Sequence, residues 1–188
     1  MRIIGGKWRG RRLAAPEGRA VRPTIDRVRE SLFNVIEHGR HTNGDGSLLP
    51  GVRVLDGFAG TGALGLEALS RDAAHVTFID SDRAALAVLE ANIAELGAAA
   101  ETTVLRADCL TPPRATEPCG LILLDPPYGQ GLAEPALQAL DAQGWIAPGA
   151  LCVVELRRDD AFEPPDGFEP LDDRHYGATR IVLLRRAP

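Results

Sequence analysis

Asp125-Pro126-Pro127-Tyr128 is the stretch of this chain whose residue types could do chemistry together. It follows Leu121-Ile122-Leu123-Leu124, four large aliphatics bounded by Gly120, which read as a buried parallel strand that stops at a double proline. The carboxyl end of that strand therefore carries an acid, two rigid residues and an aromatic, at the edge where open α/β sheets bind ligands. The Asp125 carboxylate and the Pro126 carbonyl offer two acceptors, enough to fix both hydrogens of an exocyclic amine. Tyr128 offers a flat face on which a nucleobase can stack, worth about 1–3 kcal/mol. Amine and base together point to chemistry on a nucleobase amino group. The plainer alternative makes the double proline only a strand stop and Tyr128 a half-buried aromatic.

The elements that must position this stretch precede it. Residues 52–56 (Val-Arg-Val-Leu-Asp) predict the first core strand, which runs into Gly57-Phe58-Ala59-Gly60-Thr61-Gly62-Ala63-Leu64-Gly65 and then a helix to about residue 71. Glycines there let backbone N–H groups and a helix N-terminus approach a ligand. The G-x-G-x-x-G spacing would equally suit a dinucleotide. Asp56 is the sharper sign, because an acid just before the glycines repels a pyrophosphate but can hold an ammonium group. A second strand at 75–79 ends in Asp80-Ser81-Asp82, where an acid usually catches a ribose diol. Ser81 or Asp82 caps the next helix, whose Leu86, Leu89, Ile93 and Leu96 form a stripe ending at Gly97. A third strand at 102–106 is followed by Ala107-Asp108-Cys109, whose acid is a candidate acceptor for an adenine amino group. A single acid at a strand end is usually a helix cap, but here four consecutive units carry one.

Beyond Tyr128, residues 132–142 predict a helix and 149–156 a fifth strand; 168–176 and 179–184 predict two strands joined by Gly177-Ala178. That pair makes an antiparallel hairpin at the end of the sheet. At the other terminus, residues 3–13 have apolar residues separated by glycines and predict short strands or a ribbon. Thr24 predicts an N-cap for an amphipathic helix over 24–38, with Ile25, Val28, Leu32, Val35 and Ile36 inward and Asp26, Arg27, Arg29, Glu30 and Asn34 away from the stripe. Residues 39–51 read as a loop.

Charge is segregated along the chain. The net charge is −5, yet residues 1–29 carry nine Lys and Arg against Glu17 and Asp26, a surplus of seven, and the remainder carries a deficit of twelve. A basic arm on an acidic body suits a polyanion gripped at one end. Its length, 188 residues, and its 45% hydrophobic and 25% charged content describe an ordinary globular chain with room for a proper core. Neither a long apolar run nor a signal-like N-terminus is present, so a cytoplasmic protein without membrane association is expected. Cys109, Cys119 and Cys152 are odd in number with no C-x-x-C, and the four histidines are scattered, so no disulfide framework and no metal are expected.

Asp56-Gly57-Phe58-Ala59-Gly60-Thr61-Gly62, then Asp80, Asp108 and Asp125-Pro126-Pro127-Tyr128, resemble the motif series of class I S-adenosylmethionine-dependent methyltransferases acting on exocyclic amines. Residues 2–11 and 22–30, from Arg2-Ile3-Ile4-Gly5-Gly6-Lys7-Trp8 to Arg27-Val28-Arg29-Glu30, resemble the opening of the RsmD family, bacterial methyltransferases of guanine N2 in 16S ribosomal RNA. The resemblance extends to about residue 156, with the hairpin similar in outline. It implies a Rossmann-like fold with a mostly parallel seven-stranded sheet and an antiparallel C-terminal hairpin strand, residues 51–188, behind a basic extension of residues 1–50. It implies that S-adenosyl-L-methionine is held by Asp56, Gly57, Gly60 and Gly62 at the methionine part, by Asp80 and Ser81 at the ribose, and by Asp108 and Cys109 at the adenine, with Thr24 from the overlying segment. Asp125, Pro126 and Tyr128 would hold the guanine, and Lys7, Trp8, Arg9, Arg11, Arg12, Arg22, Arg27 and Arg29 the RNA, within a small ribosomal subunit or its assembly intermediate. The expected protein is a monomer. The family often has Glu where this chain has Asp80, and alternates Phe with Tyr128, which implies a dispensable phenol hydroxyl.

Three rivals share parts of this pattern. An adenine-N6 DNA methyltransferase also uses Asp-Pro-Pro-Tyr, although this small body lacks a separate target-recognition domain. A nicotinamide oxidoreductase could use the glycine turn but gives Asp56 and Asp125 to Tyr128 no role. A non-catalytic RNA-binding protein would use the basic arm alone.

Overall fold

Short aliphatic runs alternating with amphipathic stretches fold here into one sheet covered by helices on both faces. The computed structural model describes residues 1–15, 23–39 and 47–188. Their elements are α1 (Pro23–His38), β1 (Arg53–Gly57), α2 (Ala63–Ser70), β2 (His75–Asp80), α3 (Arg83–Leu96), β3 (Thr102–Arg106), β4 (Cys119–Leu124), α4 (Ala133–Ala142), β5 (Ile146–Arg157), β6 (Phe168–Tyr176) and β7 (Thr179–Arg186). The seven strands run in the order β3-β2-β1-β4-β5-β7-β6. The first five are parallel, and β7 pairs antiparallel with both β5 and β6. The hairpin therefore inserts its second strand against β5 and leaves its first at the edge. The result is the Rossmann-like, mostly parallel seven-stranded sheet with an antiparallel C-terminal hairpin expected from the sequence.

Alternation along each strand divides the core into two layers. Val54, Phe78, Leu121 and Val153 face a layer shared with α1, α2 and α3, while Leu55, Ile79, Ile122 and Cys152 face the layer closed by α4 and Trp145. Nearly all these side chains are fully buried, each worth about 1.5–3 kcal/mol of apolar transfer. Asp82 caps α3 through Ala84 N–H at 2.8 Å, and Gly97 closes the same helix in the left-handed conformation. Strand β5 begins earlier than the apolar run suggested, with Ile146 paired to Cys119 of β4 ahead of a register shift between Cys119 and Leu121.

The N-terminal arm is part of this body. Residues 1–13 form a narrow antiparallel ribbon, bridged at Arg2 and Arg12, with a single 3-10 turn at Gly6–Trp8. Its tip lies on α2 so closely that a Cβ on Gly6, at φ +71°, would stand 1.6 Å from the Ser70 carbonyl oxygen. Ile3 and Leu13 are buried in the same layer as Val28, Leu32, Phe33 and Ile36 of α1. Phe33, outside the expected stripe, is fully buried, so α1 hides a wider arc than its spacing suggested. No helix among the described residues is long and apolar enough to cross a membrane.

Candidate active site

Parallel pairing brings the carboxyl ends of five strands to one edge. Gly57 of β1 pairs with Ile79 of β2 and with Leu124 of β4, Leu124 pairs with Val154 of β5, and Asp80 pairs with Arg106 of β3. Asp56, Asp80, Asp108 and Asp125 thus come to neighbouring strand tips, spaced by about 5 Å per strand. Sequence separations of up to 69 residues are collapsed onto a single rim.

The four acids sit in different surroundings. Asp56 is buried, and its Oδ2 accepts the Gly65 N–H at 2.8 Å, capping the first turn of α2 from below. Burial pushes its carboxyl up to about 8, helped by the nearby Asp80 charge and opposed by the Gly65 N–H. Asp80 is half-buried; its Oδ2 accepts the Gly60 N–H at 2.7 Å and its Oδ1 the Asp82 N–H at 2.8 Å. Each oxygen retains a lone pair for a further donor. Asp108 is exposed and takes the Leu110 N–H on Oδ1. Asp125 is exposed directly after Leu124, which is buried.

The glycine-rich loop between Asp56 and α2 is strung on these groups. Phe58 N–H donates to Cys109 Sγ at 3.3 Å, Ala59 N–H to the Ile79 carbonyl, Gly60 N–H to Asp80 and Gly62 N–H to the Ala59 carbonyl. A loop that cradles a pyrophosphate must aim its N–H groups outward at the anion. This one spends them inward and is flanked by carboxylates, which opposes the dinucleotide reading. Phe58 is held at φ +57°, a strained conformation for a residue with a side chain. Gly57 is buried at the end of β1, where a Cβ would meet Leu124 Cδ2 at 2.6 Å and Cys109 Sγ at 3.3 Å. Above Gly60 a Cβ would meet nothing closer than 4.0 Å, so the loop is open there to a ligand. Cys109 is buried beneath the loop, and burial pushes its thiol up to about 12. Ser81 is exposed beside Asp80.

Tyr128 is the one large hydrophobic side chain left exposed among the described residues, at 46%. Its hydroxyl donates to Glu155 Oε1 at 2.7 Å, and burial of the ring edge together with that carboxylate raises the phenol pKa. Pro126 is buried beneath it. Asp160 Oδ2 accepts both Gly129 N–H at 3.2 Å and Arg157 N–H at 3.1 Å, tying the loop to the end of β5. A cavity of about 70 Å³ lies behind, walled by Pro126, Tyr128, Leu156 and Phe162. A larger groove of about 750 Å³ between α1 and β6 shares no residue with the acids or with residues 125–128.

Comparison with known proteins places the chain in a family. The model of the family described as Conserved hypothetical protein 95 matches residues 1–185. "Ribosomal RNA small subunit methyltransferase D" of Escherichia coli is 42% identical over 155 residues, covering 82% of this chain and 74% of that protein. Its namesake in Haemophilus influenzae is 36% identical over 189 residues, covering 98% and 93%. The solved structure of the Escherichia coli protein yhhF superposes with a TM-score of 0.82 at 34% identity, covering 100% of this chain and 98% of that one. The chain belongs to the RsmD family.

Within this RsmD-family fold the expected RNA-facing residues divide. Arg9, Arg12 and Arg27 are exposed, with no ion pair found for them among the described residues. Lys7 is turned to Glu101 at 3.2 Å and stacks over Trp8, and Arg11 is turned to Glu95 at 3.0 Å. Trp8 is half-buried against the core. Arg29 departs from expectation, because it is only 4% exposed and cannot reach a phosphate. Its guanidinium bonds the Arg2 carbonyl and Asp26, with Nε 3.8 Å from Glu67. Arg22 and the Thr24 side chain lie outside the described residues.

Sequence reasoning missed four polar residues. Glu67, fully buried on α2, accepts the N–H groups of Ile4 and Gly5 and the Arg71 Nε, each at 2.8 Å. Ser70 accepts from Trp8 N–H and donates to the Gly5 carbonyl. Asn92 on α3 bonds both backbone groups of Ala14 and the Thr61 carbonyl, joining arm to glycine loop. Glu155 is the partner of Tyr128. The signal for the first three was present, since a polar residue inside an apolar helical stripe has to be satisfied by something. The partner itself was too distant in sequence to be named.

Proposed function

We propose that this protein transfers a methyl group from S-adenosyl-L-methionine to the exocyclic N2 of a guanine in small-subunit ribosomal RNA. The observation that carries the reading is the row of strand tips: exposed Asp125, Pro127 and Tyr128, with Pro126 buried between them, beside a glycine loop whose N–H groups already serve Asp80, Cys109 and main-chain carbonyls. Carboxylate acceptors beside spent N–H donors fit a ligand with a cationic amino acid end, a diol and an aromatic amine. It does not fit a pyrophosphate. Asp56 would hold the ammonium group, with Gly57, Gly60 and Gly62 keeping the floor low. Asp80 and Ser81 would take the ribose and Asp108 the adenine, with Cys109 supporting the loop from beneath and Thr24 closing from above. S-adenosyl-L-methionine, when bound, supplies an electrophilic methyl group on a positively charged sulfur.

The guanine amino group is a poor nucleophile because its lone pair is delocalised into the ring. Asp125 and the Pro126 carbonyl accept its two hydrogens and turn the lone pair out of that conjugation, toward the donor. Tyr128 stacks the base. The aim that Asp125 and Pro126 give the amine accounts for up to about 7–11 kcal/mol of barrier, while the stack on Tyr128 binds the base. The Asp125 carboxylate then takes the proton that nitrogen must lose. Reaching the amine requires the base to leave its stack, which costs least in looped or single-stranded RNA. Arg9, Arg12 and Arg27, with Lys7, Trp8, Arg11 and Arg22, would meet the surrounding phosphates. The names of the relatives favour ribosomal RNA over DNA. The substrate would be a small subunit or an assembly intermediate, met by a monomer in the cytoplasm.

Labelled S-adenosyl-L-methionine offered with small ribosomal subunits from cells lacking the protein tests this directly. Mass mapping should place the label on a guanine N2. Asp125→Ala should cut transfer at least about a hundredfold while cofactor affinity is retained. Label in adenine of duplex DNA, or none in RNA, would overturn the proposal.

A further inference from the structure

Glu155 stands at the tip of β5 beside the target-base stretch, since Leu124 and Val154 pair in register and are followed by Asp125 and Glu155. Its Oε1 accepts the Tyr128 hydroxyl at 2.7 Å. The ring it holds is 46% exposed, on a loop between Pro127 and Gly129, where an untied aromatic samples several rotamers. The backbone of Glu155 is held in β5, opposite Ile181 of β7 and one residue past the last pair with β4. Burial raises the Glu155 pKa, and the Tyr128 hydroxyl and then the charge of Arg29 act against that rise. Arg29 is fixed by the Arg2 carbonyl and Asp26.

We propose that Glu155 is a positioning residue that locks the Tyr128 ring in the orientation that stacks the target guanine. The inference rests on the stacking role given to Tyr128 above. It also revises the implied dispensability of the phenol hydroxyl. The hydroxyl takes no part in methyl transfer, yet it anchors the ring, so its loss belongs in KM for RNA rather than in kcat.

The test is a double-mutant cycle on methyl transfer to small-subunit RNA. Glu155→Ala is expected to raise KM for RNA about tenfold, the size of one lost hydrogen bond to a charged group, with kcat and cofactor Kd within about twofold. Tyr128→Phe should do the same, and the double variant should be no worse than either alone. Glu155→Gln, whose carbonyl still accepts, should recover most of the loss. Glu155→Asp, one methylene short of the phenol, replaces the alanine variant if that one does not fold. Multiplying effects in the double variant would overturn the proposal, as would an unchanged KM or a parallel loss of cofactor affinity and melting temperature. If the wild-type protein transfers no methyl group to RNA, the proposed function fails. RNA affinity measured by filter binding across the same four proteins still decides whether Glu155 and Tyr128 are coupled.

Discussion

Asp56 is the residue on which the cofactor reading can be checked without any RNA. Its carboxyl lies near pH 8 in the folded protein, against about 4 when unfolded, and burial is the main cause. Between those values the folded chain keeps a proton that the unfolded chain releases. The contribution of Asp56 is therefore fully present below pH 4 and is lost as pH rises toward 8, by at most about 1.4 kcal/mol per pH unit. Asp56→Asn keeps an acceptor for the Gly65 N–H and removes the titration. Melting curves of the free protein should show the wild type losing more stability than Asp56→Asn between pH 5 and 8. Parallel pH profiles would contradict it. At pH 7, calorimetry in two buffers should also detect a proton released when wild type binds S-adenosylhomocysteine, and none with the variant. The acids were legible in the sequence because each follows an aliphatic run. Glu155 was not, since β5 reads simply as a strand and nothing local ties it to a tyrosine 27 residues earlier.

At the scale of elements, α2 is the piece that sequence pattern describes least well. Residues 65–70 are all buried, polar ones included, because the sheet covers one side and the N-terminal ribbon the other. Periodicity shows which face of a helix is apolar but not which distant segment will cover the opposite face. The same limit hid Phe33 and misplaced Arg29, both on the side of α1 that meets α2 and the ribbon. Glu67 makes the dependence measurable. Three donors converge on its carboxylate, so Glu67→Gln turns an amide N–H toward one of them and weakens the buried pairing with Arg71. We expect a loss of about 3 kcal/mol, roughly 6–12 °C in Tm, with faster tryptic cleavage at Lys7 to Arg12 than elsewhere. An unchanged Tm with an equally protected ribbon would show that the arm is held by Ile3 and Leu13 alone.

For the whole molecule, the sheet was legible down to its seven strands and its antiparallel end, because uninterrupted aliphatic runs can satisfy their backbone only by pairing on both sides. The position of β7 between β5 and β6 was not, since strand order follows from long-range pairing rather than from pattern. Charge segregation was also legible. Its three-dimensional meaning was not, because Lys7 and Arg11 are folded back onto Glu101 and Glu95 of the body while Arg9, Arg12 and Arg27 face outward. What these scales share is the rim of strand tips, where loop, acids and aromatic meet. A crystal of this protein soaked with S-adenosylhomocysteine interrogates that rim directly. The account expects the amino acid end over Asp56 and Gly60, the ribose at Asp80, the adenine at Asp108 and the sulfur turned toward Asp125 and Tyr128. A ligand bound elsewhere, or a soaked crystal with that rim empty, would contradict it.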